Sequence, residues 1–207
     1  MLGDFIKADY KIPIFILLIL LVSIFIGCLD NSSNGVLEYG EDFTFTLLDG
    51  KKQSTSFFAG KVLIIDFTGV NCPWCIPQMF VLHEIYKGYS RDDVEILSIN
   101  VWTVYGETVD DVNRLFEAFK CASPCDAEDN FANLQIRENK QFFGYEDGVE
   151  FEWTYGMDDS SGTISSKYKI SGIPYIMILD KKGNIYYTMA GYTEYNSITE
   201  KLDEIIK

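Results

Sequence analysis

Two cysteines with two residues between them, Cys72 and Cys75, are the residues best suited to chemistry in this sequence. They follow the apolar run Val62–Ile65, which lacks alternation and is typical of a strand buried on both faces. A helical pattern begins directly after them, so the pair is predicted at a helix N-terminus. Unpaired N–H groups and the positive end of the helix dipole favour a thiolate there. We therefore expect Cys72 to be the reactive sulfur and Cys75 to be close enough to form a disulfide with it.

Asp66 ends the same apolar strand, ahead of the cysteine pair. A carboxylate is expensive to bury, and burial raises its pKa towards the range that is useful for proton transfer. The alternative is that the side chain reaches solvent or caps a backbone group. We favour the proton-transfer interpretation, because the strand around Asp66 is fully apolar.

Three segments of the sequence carry a family resemblance. They are the hairpin pattern at 42–51 with the strand at 60–67, the Cys-Pro-Trp-Cys segment at 72–75, and the Ile-Pro segment at 168–184. Together they resemble the thioredoxin superfamily, in particular its membrane-anchored, extracytoplasmic thiol–disulfide oxidoreductases, the TlpA/ResA-like redoxins. The resemblance implies a three-layer α/β fold, in which a central mixed sheet is flanked by helices, with an N-terminal hairpin. An acidic insertion at about 121–150 has no recognised counterpart.

The resemblance also implies roles for individual residues. Cys72 would be the nucleophile, Cys75 the resolving thiol, and Asp66 the buried acid that assists deprotonation of the second cysteine. Pro174 would follow a cis peptide bond and expose the backbone of Ile173 to an extended substrate, although a trans proline opening an edge strand is the alternative.

Trp74, between the two cysteines, is predicted to project at the rim of the site as an apolar contact for the substrate. His83 is predicted on the outer or lateral face of the following helix. Since no cysteine or acidic cluster is spaced to join this single histidine, we predict no metal site and no cofactor.

The N-terminus has the layout of a secretory signal. Lys7 and Lys11 precede an apolar run that ends at Cys28. Two interpretations stay open: an uncleaved membrane anchor, or cleavage before Cys28 with lipid attached to it. Both put the rest of the chain outside the cytoplasm, held at the membrane. We assign 1–28 to the signal peptide or anchor, 29–37 to a polar linker and 38–207 to the thioredoxin-like domain.

Charge and the remaining cysteines limit the function further. The net charge of -14 argues against a nucleic-acid partner. Residues 121–159 carry ten acidic and two basic residues. Cys121 and Cys125 are interpreted as a structural disulfide or as a second redox pair that relays electrons. We favour the structural disulfide, because their spacing lacks a helix-start signature.

Periodicity and turn signals predict the other elements, and Thr108 with Asp111 and Ser197 with Glu200 resemble capping boxes at helix starts. Pro73 is predicted at the first helical position, and Pro77 is expected to interrupt the helix and kink its first turns. The other predicted elements are a hairpin of 43–48 and 51–56, strands at 94–101, 152–157, 174–179 and 184–190, and helices at 108–120, 130–142, 160–168 and from Ser197.

The predicted function is disulfide exchange with cysteines of extracytoplasmic proteins. We favour a reductase that receives electrons from a membrane or soluble donor, because the resembling family contains many reductases dedicated to particular partners. A structural zinc site made of Cys72, Cys75, Cys121 and Cys125 and a peroxidase of the same fold are the alternatives.

Overall fold

The computed structural model describes residues 40–120, 136 and 148–206. These residues belong to the unit Leu37–Lys207, and the unit Met1–Val36 lies outside the described residues. The expected helix at 130–142 falls outside them apart from residue 136, so it stays a prediction. None of the described helices combines the length and apolar character needed to cross a bilayer.

One mixed sheet of seven strands forms the centre of this unit, in the order β2-β1-β5-β4-β3-β6-β7. The strands are β1 (Thr44–Leu47), β2 (Lys52–Ser54), β3 (Val62–Thr68), β4 (Val94–Asn100), β5 (Thr154–Met157), β6 (Tyr175–Leu179) and β7 (Ile185–Ala190). β3 pairs parallel with β4 and antiparallel with β6. β4 and β5 are parallel, whereas β1–β2 and β6–β7 are antiparallel hairpins.

Four α-helices accompany the described strands: α1 (Cys75–Gly88), α2 (Val109–Lys120), α3 (Thr163–Lys167) and α4 (Tyr195–Ile205). Two short 3-10 helices, Thr55–Phe58 and Trp102–Tyr105, precede β3 and α2. The expected α/β fold, with a central mixed sheet, flanking helices and an N-terminal hairpin, is confirmed.

The sheet has an apolar core on each face. Alternate side chains of a strand point to opposite faces, and β3 is buried along its whole length. One core joins Val62 and Ile64 to buried residues of α1, α2 and α4. The other joins Leu63, Ile65 and Phe67 to the 3-10 helix before β3 and to α3. Burial on both faces explains why β3 shows no polar alternation.

The capping box predicted before α2 is present. The backbone N–H of Thr108 donates to Asp111 Oδ2 at 2.8 Å, and the N–H of Asp111 donates back to Thr108 Oγ1 at 3.4 Å. These bonds satisfy donors that have no partner inside the helix.

Three local predictions were wrong. The last helix begins at Tyr195 with Glu194 as its N-cap, and not at Ser197. α1 begins at Cys75 with Trp74 as its N-cap, so Pro73 lies in the turn before the helix. Pro77 is therefore the third helical residue, where a backbone N–H has no intrahelical acceptor, and it removes no hydrogen bond from α1.

Candidate active site

Cys72 and Cys75 form a disulfide, with 5.3 Å between their Cα atoms. The pair lies between the end of β3 and the first turn of α1. The backbone N–H of Cys75 lies 3.2 Å from both Cys72 Sγ and the Cys72 carbonyl oxygen, so the helix start offers a shared hydrogen bond to this sulfur. Both cysteines are buried: 3% of the surface of Cys72 and 1% of that of Cys75 is exposed. Such a donor stabilises a thiolate on Cys72 when the disulfide is reduced.

The Ile173–Pro174 peptide bond is cis, as the resemblance implied. The loop that carries it contacts the turn before the cysteines: a Cβ added at Gly69 would lie 3.0 Å from Ile173 Cδ1 and 2.8 Å from Trp102 Cδ2. The carbonyl oxygen of Pro174 accepts a hydrogen bond from Gly191 at 2.8 Å. The tertiary structure therefore brings the Ile-Pro segment against the segment that leads into the cysteine pair.

Asp66 is fully buried, on the face of β3 that α1 covers. Its Oδ2 accepts a hydrogen bond from the Ser98 hydroxyl at 3.0 Å. Burial raises the pKa of Asp66 from 3.8 to about 7, and the hydrogen bond from Ser98 opposes that shift. A carboxyl group with this pKa can both accept and release a proton near neutral pH.

The Redoxin family model matches residues 38–204, which include the cysteine pair, Asp66 and the cis-proline loop. The chain belongs to the Redoxin family. The match covers most of the sequence and all of the described strands and helices except Ile205, the last residue of α4.

Known proteins agree with this membership. The thiol-disulfide oxidoreductase ResA of Geobacillus kaustophilus is 24% identical to this redoxin over 164 residues, which are 79% of this chain and 74% of ResA. Among solved structures, a thioredoxin-like protein from Aeropyrum pernix gives a TM-score of 0.52 at 22% identity and covers 84% of this chain and 95% of its own. MTB DsbF gives a TM-score of 0.53 at 14% identity, with 79% and 94% covered.

The two solved structures support the fold of this redoxin, and the family model and ResA support its class. This redoxin is a ResA-like member of the thioredoxin superfamily and a protein thiol–disulfide oxidoreductase. The expectation from the sequence is confirmed at that level.

Glu107 is a residue of the site that sequence reasoning missed. Its carboxylate accepts hydrogen bonds from the backbone N–H groups of Val70 and Asn71 at 2.7 and 2.9 Å. It also accepts from the side-chain amides of Asn71 and Asn100 at 2.9 and 2.8 Å. Glu107 therefore links the turn before Cys72 to the segment before α2 through these hydrogen bonds. Nothing in the sequence around Glu107 points to a turn 36 to 37 residues earlier.

Trp74 projects into solvent, with 61% of its surface exposed. Its ring centroid lies 6.4 Å from that of Tyr192, which follows β7. An exposed indole beside the disulfide has the placement that the predicted substrate contact requires. Its role stays a prediction.

His83 is half-buried on α1, and its ring stands edge-on to Phe151 with 5.8 Å between centroids. Within residues 40–120, 136 and 148–206, no group of three or more histidine, cysteine or acidic side chains is arranged to hold a metal ion. Cys28, Cys121 and Cys125 lie outside the described residues. The lipid attachment, the second disulfide or relay, and the four-cysteine zinc site therefore stay hypotheses.

Proposed function

We propose that this redoxin exchanges disulfides with cysteine-containing proteins outside the cytoplasm, in the reducing direction. Cys72 acts as nucleophile, Cys75 as resolving thiol and Asp66 as the base for Cys75. The observation that carries the proposal is the buried Cys72–Cys75 disulfide at the start of α1, with a helix N–H directed at the Cys72 sulfur.

The first step is the attack of the Cys72 thiolate on one sulfur of a client disulfide. A bond forms between Cys72 and that sulfur, the client disulfide breaks, and the other client sulfur leaves as a thiolate. The N–H of Cys75 favours the anionic form of Cys72 before the attack.

The second step resolves the mixed disulfide. The Cys75 thiol gives its proton to the Asp66 carboxylate and attacks the Cys72 sulfur. The Cys72–Cys75 bond forms, the bond to the client breaks, and the second client sulfur leaves as a thiolate. Two electrons have then passed to the client, and a membrane or soluble dithiol donor must reduce the pair again.

The cis-proline loop and Trp74 suit the binding of an extended client segment. The backbone of Ile173 would pair with the residues that flank the client cysteine, as an added strand does at a sheet edge. The exposed indole of Trp74 offers apolar contact area on the solvent side of the pair.

The location outside the cytoplasm is supported by the N-terminal sequence, since Lys7 and Lys11 precede an apolar run that ends at Cys28. The apolar run, or a lipid on Cys28, would hold the domain at the membrane. A redox-active disulfide also suits a compartment in which disulfides persist.

Trapping of the mixed disulfide tests the mechanism. In cells that make the full-length Cys75→Ser variant, acid quenching and thiol alkylation should recover client proteins covalently bound to Cys72. The matched Cys72→Ser variant should recover none. Equal recovery by the two variants, or none by either, would reject the assigned roles.

The direction of electron flow has its own measurement. For a reductase, alkylation of the wild-type protein in intact cells should find Cys72 and Cys75 mainly as thiols, because the donor keeps them reduced. A pair that is mainly disulfide-bonded would instead indicate an oxidase.

A further inference from the structure

Asp66 belongs to a row of buried polar side chains that crosses three strands. Asp66 on β3 is paired with Ser98 on β4, and Ser98 is paired with Tyr155 on β5. Paired residues of parallel strands point to the same face. All three side chains are at least 95% buried, since Tyr155, the most accessible of them, is 5% exposed.

The hydrogen bonds of Ser98 run in one direction. The indole N–H of Trp153 donates to Ser98 Oγ at 2.9 Å, and the Ser98 hydroxyl donates to Asp66 Oδ2 at 3.0 Å. An indole N–H can only donate, so Ser98 must accept from Trp153, and its single hydrogen is directed at Asp66. Trp153 thereby fixes the orientation of the Ser98 hydroxyl.

Two oxygens of this row, Asp66 Oδ1 and the Tyr155 hydroxyl, have no hydrogen bond of normal geometry among the described residues. The Asn100 side chain is close enough to lower the pKa of Tyr155, so the Tyr155 oxygen can only accept from it, and the phenolic hydrogen has no acceptor in the described part of the chain. Buried polar atoms are nearly always paired, and ordered water supplies the partner where protein does not. A carboxylate oxygen accepts and a phenol donates, so a water molecule between them would satisfy both.

We propose that Asp66 Oδ1 and the Tyr155 hydroxyl bind one buried water molecule between them, and that Tyr155 acts through this water as a positioning residue for Asp66. The functional part of this inference rests on the proposed role of Asp66 as the base for Cys75. The Tyr155 hydroxyl, donating through the water, stabilises the carboxylate form, which is the form that accepts the Cys75 proton.

Among the described residues, few other groups that titrate surround Asp66. Tyr155 faces it from β5, Cys75 starts the helix that covers it, and its neighbour on β6, Ile176, does not titrate. On α2, the ring of Phe116 stands edge-on to that of Tyr155, with 5.2 Å between centroids. The charge of Glu107 acts on Tyr155.

Burial raises the pKa of Tyr155 well above its ordinary value, and the negative charges of Asp66 and Glu107 raise it further, while the Asn100 side chain opposes the shift. Tyr155 therefore stays protonated at neutral pH and able to donate. Its charge does not change over the range in which Asp66 titrates.

The test uses the full-length protein in detergent and the Tyr155→Phe variant, with Tyr187→Phe as matched control. Tyr187 is a half-buried tyrosine on β7, and its substitution also removes one phenolic hydroxyl. The first readout is the pH midpoint at which the Asp66 carboxyl group titrates, followed by infrared difference spectroscopy. The carboxyl band is assigned to Asp66 by its absence in the Asp66→Asn variant. Tyr155→Phe should raise its midpoint by about one pH unit, since loss of a hydrogen bond to a charged group is worth about this much. Tyr187→Phe should leave it unchanged.

The second readout is the rate of the Cys75 step. The reduced protein is mixed with dithiobis(nitrobenzoate); attack by Cys72 releases the first aromatic thiolate, and attack by Cys75 on the mixed disulfide releases the second. In Tyr155→Phe, the pH profile of the second release should move upward with the carboxyl midpoint, giving about a tenfold lower rate below that midpoint. The Asp66→Asn variant and the Asp66→Asn/Tyr155→Phe double variant should both lack the pH dependence of the second release that Asp66 causes.

The outcomes separate the two claims. An unchanged carboxyl midpoint in Tyr155→Phe overturns the water-mediated role of Tyr155, even if the variant is less stable, because a purely structural role does not move that midpoint. If the midpoint moves but the profile of the second release does not follow, the Tyr155 site stands and the role of Asp66 as base fails.

Discussion

The carboxylate of Glu107 accepts a hydrogen bond from the backbone N–H of Val70 at 2.7 Å, although the two residues are 37 positions apart in the chain. This bond crosses from the segment before α2 to the turn that precedes Cys72. Because the same carboxylate also accepts from the N–H of Asn71 at 2.9 Å, two consecutive backbone donors of the turn share one acceptor group. The shape of the turn thus depends on a side chain outside it.

Substitution of Glu107 by glutamine should loosen this turn. The amide offers one acceptor oxygen, and its NH₂ group would face backbone donors, so we expect a loss of about 1 to 3 kcal/mol in the free energy of unfolding. Chemical denaturation of the oxidised protein measures this loss. Glu117→Gln on the exposed face of α2, where the side chain is 77% exposed, is the control and should change stability by less than about 0.5 kcal/mol. Equal effects of the two variants would contradict the role of Glu107.

Asp66→Asn should stabilise the protein at neutral and alkaline pH. The pKa of Asp66 is raised from 3.8 to about 7 in the folded state. Between these values the unfolded chain has released the proton while the folded protein keeps it, so wild-type stability falls as pH rises through this window and stays low above it. Asparagine does not ionise. The free energy of unfolding of the variant should therefore equal that of wild type below about pH 4 and exceed it by about 4 kcal/mol above about pH 7.

Denaturation of the oxidised proteins across this pH range measures that difference. Asp92→Asn, at an exposed position before β4, is the control and should follow wild type at every pH. A constant difference between Asp66→Asn and wild type over the whole range would mean that Asp66 does not titrate within it.

Trp74→Ala should separate client binding from thiol chemistry. Removal of this indole should lower the rate with a folded protein client about tenfold, since an aromatic anchor in an interface often contributes more than 1 kcal/mol. The rate with a small aromatic disulfide should stay near that of wild type. Phe57→Ala is the control: Phe57 is 73% exposed but lies in the 3-10 helix before β3, at the end of that strand away from the cysteines. Similar losses in both variants would argue against a specific contact at Trp74.

Gly69→Ala should disturb the contact between the active-site turn and the cis-proline loop. The added Cβ would lie within 3.0 Å of Trp102 Cδ2 and Ile173 Cδ1, so one of these side chains must move. We expect a destabilisation of about 1 to 3 kcal/mol and slower exchange with clients, measured by denaturation and by client reduction. Gly88→Ala, at the end of α1, would place its Cβ 3.6 Å from the Tyr195 hydroxyl, an ordinary contact. It should be neutral or slightly stabilising; a loss equal to that of Gly69→Ala would contradict the prediction.

Much of the fold follows from local patterns. The unbroken apolar run Val62–Ile65 predicts a fully buried strand, and β3 is one. The Thr108–Asp111 capping box predicts the start of α2, because both partners lie within one turn of each other. The start of α4 was misplaced because the Ser197 and Glu200 pattern resembles a capping box, while the helix begins earlier with Glu194 as N-cap and no side-chain capping bond.

The candidate site divides in the same way. The sequence by itself determined which residues we propose for the chemistry, Cys72, Cys75 and Asp66, because a cysteine pair at a helix start and a carboxyl group on an apolar strand are visible in a few neighbouring positions. The tertiary structure decided what surrounds them. Glu107 at the turn and the register of Ser98 and Tyr155 beside Asp66 depend on how separate strands pair. Such contacts join residues dozens of positions apart, and no local propensity or spacing encodes which of them will meet.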